Sequence, residues 1–271
     1  MIQFKKVGLS LTFFTGTIFL MSSCNSGNAN SRQEKKQAVG NVTTEQLSTK
    51  PVQPILDKAK QDGKVVFLVL LSKDKVKNQK INLLAQSIHA KIDESIVVDM
   101  DRDDIVNAAI VNEWQLTGII LPAVFVVSYT GLPITGYSLD DAKEDEIIGA
   151  IPSPKTDEAY ASINESKPVF LVVTNNSFTD RDMIMANCKA AIAQLKVKPT
   201  IVEVNKDDTR EQSLLTNFKI SPDTKATTVV VINADGQTTD TYNGSVTTGQ
   251  LIASSKKIVK SACCSSGSSC K

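Results

Sequence analysis

A mixed α/β fold in two tandem copies, each a central sheet flanked by helices, is what this sequence of 271 residues predicts. Three observations carry that prediction. The two halves repeat one pattern at an offset of about 104 residues: "GKVVFLVLLS" (63–72) answers "SKPVFLVVT" (166–174), and "VVDMDRDD" (97–104) answers "IVEVNKDD" (201–208). Each copy also opens its sheet with a continuous apolar run, as a strand buried on both faces requires. Segments with helical spacing of apolar residues then alternate with the runs, in the order β-α-β-α-β-β-α.

The chain opens with Lys5 and Lys6, an apolar run over 7–21, and the small residues Ser22 and Ser23 before Cys24. A basic start, a core too short to span a bilayer and small residues at its end are the layout of a secretory leader. The stretch resembles the bacterial lipoprotein signal, with Met21 where that family usually has leucine. The resemblance implies cleavage after residue 23, lipidation of the Cys24 thiol and acylation of its freed amine, palmitate among the chains. Several acyl chains anchor stably, whereas one holds marginally. Asn25, in place of aspartate, implies outer-membrane rather than inner-membrane placement, so the chain is expected in the bacterial cell envelope, facing the periplasm. Residues 24–53 are polar, cannot bury enough surface to fold, and read as a flexible tether.

The first copy is expected over 54–152. It runs from a lysine-rich helix in "ILDKAKQDGK" through the buried strand at 63–72 and the helix "INLLAQSIHAKI" to a second strand ending in acidic residues. A short helix, a hairpin in "AVFVVSYTGLPITGY" (123–137) and a last helix in "AKEDEIIGAI" complete it. The second copy, over 153–260, matches it with "DMIMANCKAAIAQL" as the helix, "TVVVINADGQTTDTY" (228–242) as the hairpin and "TTGQLIASSKKIV" at the end. "WQLTG" (114–118) answers "FKISP" (218–222). Two copies are too few for a solenoid.

This order, together with "VVDMDRDD", "NEWQLTGIILPAVFVV" and "GKVVFLVLLS", resembles the thioredoxin fold over roughly 54–260. In that family an acidic strand end leads to an aromatic-x-Leu-x-Gly stretch and a cis-proline before the hairpin, and Pro122 falls at that proline. The redox members carry Cys-x-x-Cys where the helix after the first buried strand begins, a place that lowers a thiol's pKa. Here that place holds Lys75, Val76, Lys77 and Asn78 in copy one and Ser177, Phe178, Thr179 and Asp180 in copy two. No thiol stands at either, so thioredoxin-type oxidoreductase activity is not expected and no catalytic residue is assigned. Copy two has Thr227 in place of the proline. The groove beside Pro122, where an extended peptide could add as a strand, is the binding candidate.

Composition narrows the partners. Thirty Lys and Arg stand against 29 Asp and Glu, and losing Lys5 and Lys6 with the leader keeps the two signs nearly equal. Nothing in that balance recruits nucleic acid. The expected partners are a lipid bilayer, through acylated Cys24, and an envelope protein or peptide. His89, the single histidine, reads as a helix residue at the core margin, and Cys188 as a small buried hydrophobe. The acidic runs at 99–104 and 207–208 lack the glycine and final glutamate of an EF-hand and read as capping.

Residues 261–271, "SACCSSGSSCK", form a Cys/Ser-rich tail with Cys263, Cys264 and Cys270. Three readings of these thiols stand together: a protective disulfide in an oxidising compartment, exchange with a partner's disulfide, or capture of a soft ion such as Cu(I). No cofactor beyond such an ion is implied. The function expected is a membrane-anchored binding or scaffold module without dithiol sites. The alternative is thiol exchange or soft-metal handling by the tail.

Overall fold

The computed structural model describes residues 51–259. They form two four-stranded mixed sheets flanked by helices, the tandem α/β arrangement that the repeat predicts. The first is built from α1 (Gln53–Gln61), β1 (Val65–Leu70), α2 (Lys75–His89), β2 (Ser95–Met100), α3 (Ala108–Glu113), β3 (Ala123–Val127), β4 (Pro133–Ser138) and α4 (Glu144–Gly149). The second follows the same order with α5 (Pro154–Asn164), β5 (Val169–Thr174), α6 (Arg181–Gln194), β6 (Thr200–Asn205), α7 (Gln212–Asn217), β7 (Thr228–Ile232), β8 (Thr238–Asn243) and α8 (Thr248–Lys256). A short 3-10 turn precedes α3 and another precedes α7, at Ile105–Asn107 and Thr209–Glu211.

In the first sheet the strand order is β2-β1-β3-β4. The β1–β2 pair is parallel, and β3 runs antiparallel to both β1 and β4. The second sheet repeats this as β6-β5-β7-β8. A parallel pair needs a crossover helix, which α2 and α6 supply; the antiparallel pair needs only a tight hairpin. Hydrogen-bond order, parallel crossover and antiparallel hairpin together make each unit a thioredoxin-like domain.

All six residues of β1 are buried because both sheet faces are covered. Side chains alternate between faces. Val65, Phe67 and Val69 therefore pack with Ile81, Ala85 and Ile88 of α2 and Ile147 of α4. Val66, Leu68 and Leu70 pack with Leu56 and Ala59 of α1 and Ile110 of α3. Each such side chain contributes about 1.5–3 kcal/mol when fully buried. In the second domain Phe170 and Val172 face α6 and α8, while Leu171 and Val173 face α5 and α7. Gly136 on β4 is required by packing: a Cβ there would lie 2.5 Å from the ring of Phe125.

The two domains meet at the β3–β4 turn. Asp157, in the first turn of α5, is fully buried there; its carboxylate accepts the Thr130 N–H at 2.7 Å and the Thr130 hydroxyl at 2.9 Å. Gly131 in the same turn has φ +82° and brings the backbone against the Lys60 side chain. This contact lies at the end of the first sheet opposite Pro122, so the Pro122 end is left open.

Candidate functional site

Three connections converge at the open end of the first sheet: 71–74 leaving β1, 101–107 leaving β2, and 119–122 entering β3. The first begins α2. Asp74 is its N-cap, and one carboxylate oxygen accepts from Val76 N–H at 3.0 Å and Lys77 N–H at 3.1 Å. These are the free donors that a reactive thiolate at a helix start draws on. A carboxylate already occupies them.

Asn78 locks the same connection. Its side-chain oxygen accepts from Ser72 N–H and its amide donates to the Ser72 carbonyl, both at 2.8 Å. Lys75, Val76, Lys77 and Asn78 thus form the first turn of α2, as the sequence predicts, with capping and loop-locking roles. In copy two the register differs. Residues 175–180 connect β5 to α6, two more than join β1 to α2, so Ser177, Phe178 and Thr179 lie before the helix and Asp180 at its N-cap. The first helical turn, from Arg181, is equally free of cysteine.

The Leu121–Pro122 peptide bond is cis, and the Pro122 carbonyl accepts from Leu139 N–H at 3.0 Å. Arg102 fixes the approach to it. Its guanidinium donates to the carbonyls of Leu116 at 3.3 Å and Ile119 at 2.8 Å. Among the described residues, the N–H and C=O of Leu121 make no hydrogen bond. Around this edge stand Val76 (64% exposed), Ile105 (83%), Val106 (42%) and Ile120 (57%). Val76 from the first turn of α2, Ile105 and Val106 from the second connection and Ile120 from the third thus present exposed β-branched side chains at the end of the sheet that carries the unpaired Leu121 edge.

Copy two is built differently at the same place: Ala226 stands where Leu121 does, and its carbonyl accepts from the Thr224 hydroxyl at 3.3 Å. Thr227 is fully buried, and its N–H, which proline lacks, requires an acceptor. Asp180 provides it: both carboxylate oxygens lie 3.1 Å from Thr227 N, and one accepts the Thr227 hydroxyl at 2.8 Å. Where copy one has Ile105 and Val106, copy two has Thr209 and Arg210, with Arg210 paired to Asp208 at 2.8 Å. Those bonds hold the Asp208 carboxyl below its usual range.

The remaining candidates resolve as structural. His89 Nδ1 lies 2.8 Å from Ser95 Oγ, whose own proton goes to the Ile92 carbonyl at 2.7 Å, so Nδ1 carries the hydrogen. Cys188 is fully buried on α6, and burial pushes its thiol up to about 12, leaving essentially no thiolate at neutral pH. Asp104 and Asp208 cap the 3-10 turns through Val106 N–H and Arg210 N–H, as predicted for the acidic runs. Asp99 instead accepts from Asn82; burial raises its carboxyl and that bond lowers it in part. Among the described residues no group of three His, Cys, Asp or Glu side chains could hold a metal ion, and no helix is long and apolar enough to cross a membrane. Cys24, Cys263, Cys264 and Cys270 lie outside the described residues.

Asp74, Asn78, Arg102 and Asp180 were not singled out by sequence reasoning for these roles. The only signal available was the Asp-x-x-x-Asn spacing at the start of α2, which also fits an ordinary cap.

No protein-family description matches the chain, and no curated protein matches it. Among solved structures, the chain is similar to a thioredoxin from Nicotiana alata at 16% identity and a TM-score of 0.29, over 36% of this chain and 78% of that one. It is also similar to the first two thioredoxin domains of Naumovozyma dairenensis Eps1p, at 10% identity and a TM-score of 0.29, over 82% and 100%. The zinc-bound form of human ERp44 aligns at 9% identity and a TM-score of 0.35, over 76% of this chain and 57% of that one.

Proposed function

We propose that the chain is an envelope lipoprotein whose first thioredoxin-like domain holds an extended peptide or protein segment beside Pro122, without dithiol chemistry. The observation that carries this reading is the contrast between the copies. In copy one the Leu121 edge is unpaired and ringed by Val76, Ile105, Val106 and Ile120. In copy two Ala226 stands where Leu121 does and its carbonyl already accepts from the Thr224 hydroxyl at 3.3 Å, Asp180 ties down the next residue, Thr227, and Thr209 and Arg210 replace Ile105 and Val106. An unpaired edge supplies main-chain hydrogen bonds to an added strand, and apolar side chains beside it supply contact area. Fully burying one Ile or Val in such an interface is worth about 1.5–3 kcal/mol. The second domain then acts as a scaffold, attached at the opposite end of the first sheet and leaving the groove clear.

The test is selection of binders from a displayed random-peptide library against the full chain, followed by titration of selected peptides. Ile120→Asp with Ile105→Asp should lower affinity at least about tenfold, the equivalent of roughly 1.4 kcal/mol, while Thr209→Asp leaves it unchanged. Equal binding by all three proteins would remove the groove from consideration. Anchoring is tested separately: Cys24→Ser should abolish incorporation of labelled palmitate and release the chain from the membrane fraction. Retention of label in that variant would end the lipoprotein reading.

A further inference from the structure

Arg102 and its counterpart in the second copy lead to different structures at the same place. The Arg102 side chain is only 16% exposed and fills the space beneath the segment that follows α3, bonding two carbonyls there. Lys206 stands at the matching position. Its ammonium turns to Asp207 at 2.7 Å instead, and a cavity of about 270 Å³ opens between Lys206, α7 and the segment after α7. The void therefore sits where the first domain keeps a guanidinium.

Its lining is suited to a ligand. Leu215, Ile220 and Pro222 give apolar walls, while Thr216 and Ser221 add hydroxyls. Ser221 Oγ accepts from Asp223 N–H at 3.2 Å, so its own proton is free to be donated. Lys219 completes the rim. It has φ +56°, and its counterpart Gln115 has +54°, so the left-handed turn belongs to the fold and only the ammonium is new to copy two. Lys219 makes no ion pair among the described residues. The Asp207 carboxylate that faces Lys206 is shared with the Asn175 amide. Among the described residues Lys206 is matched by Asp207 and Lys219 by no carboxylate, and no Asp or Glu lines the cavity, which leaves positive charge at the mouth.

We propose that this cavity binds a small organic anion, a carboxylate or phosphate carried on a short apolar body. Lys206 and Lys219 hold the charged end, Thr216 and Ser221 donate to it, and the apolar walls take the remainder. A volume just under the usual range of about 300–1,000 Å³ for ligand pockets sets the size. A cationic ligand is disfavoured by the same two lysines.

The experiment is amide NMR of the full chain in detergent, titrated with sodium butyrate and, in parallel, with butylammonium chloride at matched ionic strength. Butyrate should give saturable shifts at Thr216, Lys219 and Ile220 with a Kd of about 1 mM or tighter, and none at Asn112, Gln115 or Leu116. Lys206→Arg should rebuild the copy-one bridge, fill the void and abolish the shifts. Lys219→Gln, an exposed change that spares the fold, should weaken them about tenfold. Absence of saturation, equal shifts with butylammonium, or full binding by Lys219→Gln would each overturn the assignment.

Discussion

Thr227 and Asp180 show how one substitution in a repeat draws in another residue. Proline at 122 brings no N–H into the buried start of β3; threonine at 227 brings both an N–H and a hydroxyl, and Asp180 satisfies the two. Removing the acceptor leaves buried donors unpaired, which costs about 1–3 kcal/mol. Asp180→Ala should therefore lower the unfolding free energy by that amount, read as a lower urea midpoint at unchanged slope, while Asp182→Ala, whose side chain is 93% exposed, changes neither. An unaffected midpoint in Asp180→Ala would mean water replaces the carboxylate at no cost. At this scale the sequence showed that Thr227 departs from Pro122 but not what answers it, because the pair is 47 residues apart.

The elements were the most legible level. Continuous apolar runs became β1 and β5 because helices cover both faces of each sheet, and helical spacing became α2 and α6 for the same reason. The expected last helix over "AKEDEIIGAI" narrows to α4, Glu144–Gly149, because 139–143 turn back from β4 and Ala142 N–H bonds to the Ser138 carbonyl. The longer connection from β5 to α6 escaped equal-spacing arithmetic, since a loop insertion leaves no mark on apolar periodicity. The capping reading of the acidic runs held at Asp104 and Asp208, where a side chain bonds two residues ahead; Asp99 instead reaches α2 across the fold.

Across the whole molecule, Asp157 joins the domains and gives that junction a pH dependence. Burial raises its carboxyl above the usual range, offset in part by bonds from Ser128 and Thr130 and by the charge of Lys60; the Tyr160 phenol also lies close enough to feel it. A raised folded value favours the protonated form, so the stabilisation is fully present below the unfolded value of about 3.9 and is lost as pH rises through the folded value. Asp157→Asn stays neutral; its amide oxygen can accept the Thr130 N–H while its NH2 donates to the Thr130 hydroxyl oxygen, reversing that bond. Its urea midpoint should lack this portion of the fall as pH rises above about 4, whereas Asp157→Ala should be destabilised by about 1–3 kcal/mol. Identical pH profiles for wild type and Asp157→Asn would place the titration elsewhere.

The sequence by itself determined the repeat, the order of elements, the buried strands and the absence of cysteine from both helix starts, since each is written in local spacing or residue type. Which copy keeps an open edge, which holds a cavity and how the domains join were decided only by the tertiary structure. Those features rest on single side chains reaching distant backbone: Asp180 to Thr227, Arg102 to Ile119, Asp157 to Thr130. Such bonds have no period along the chain, and only folding brings their partners within reach.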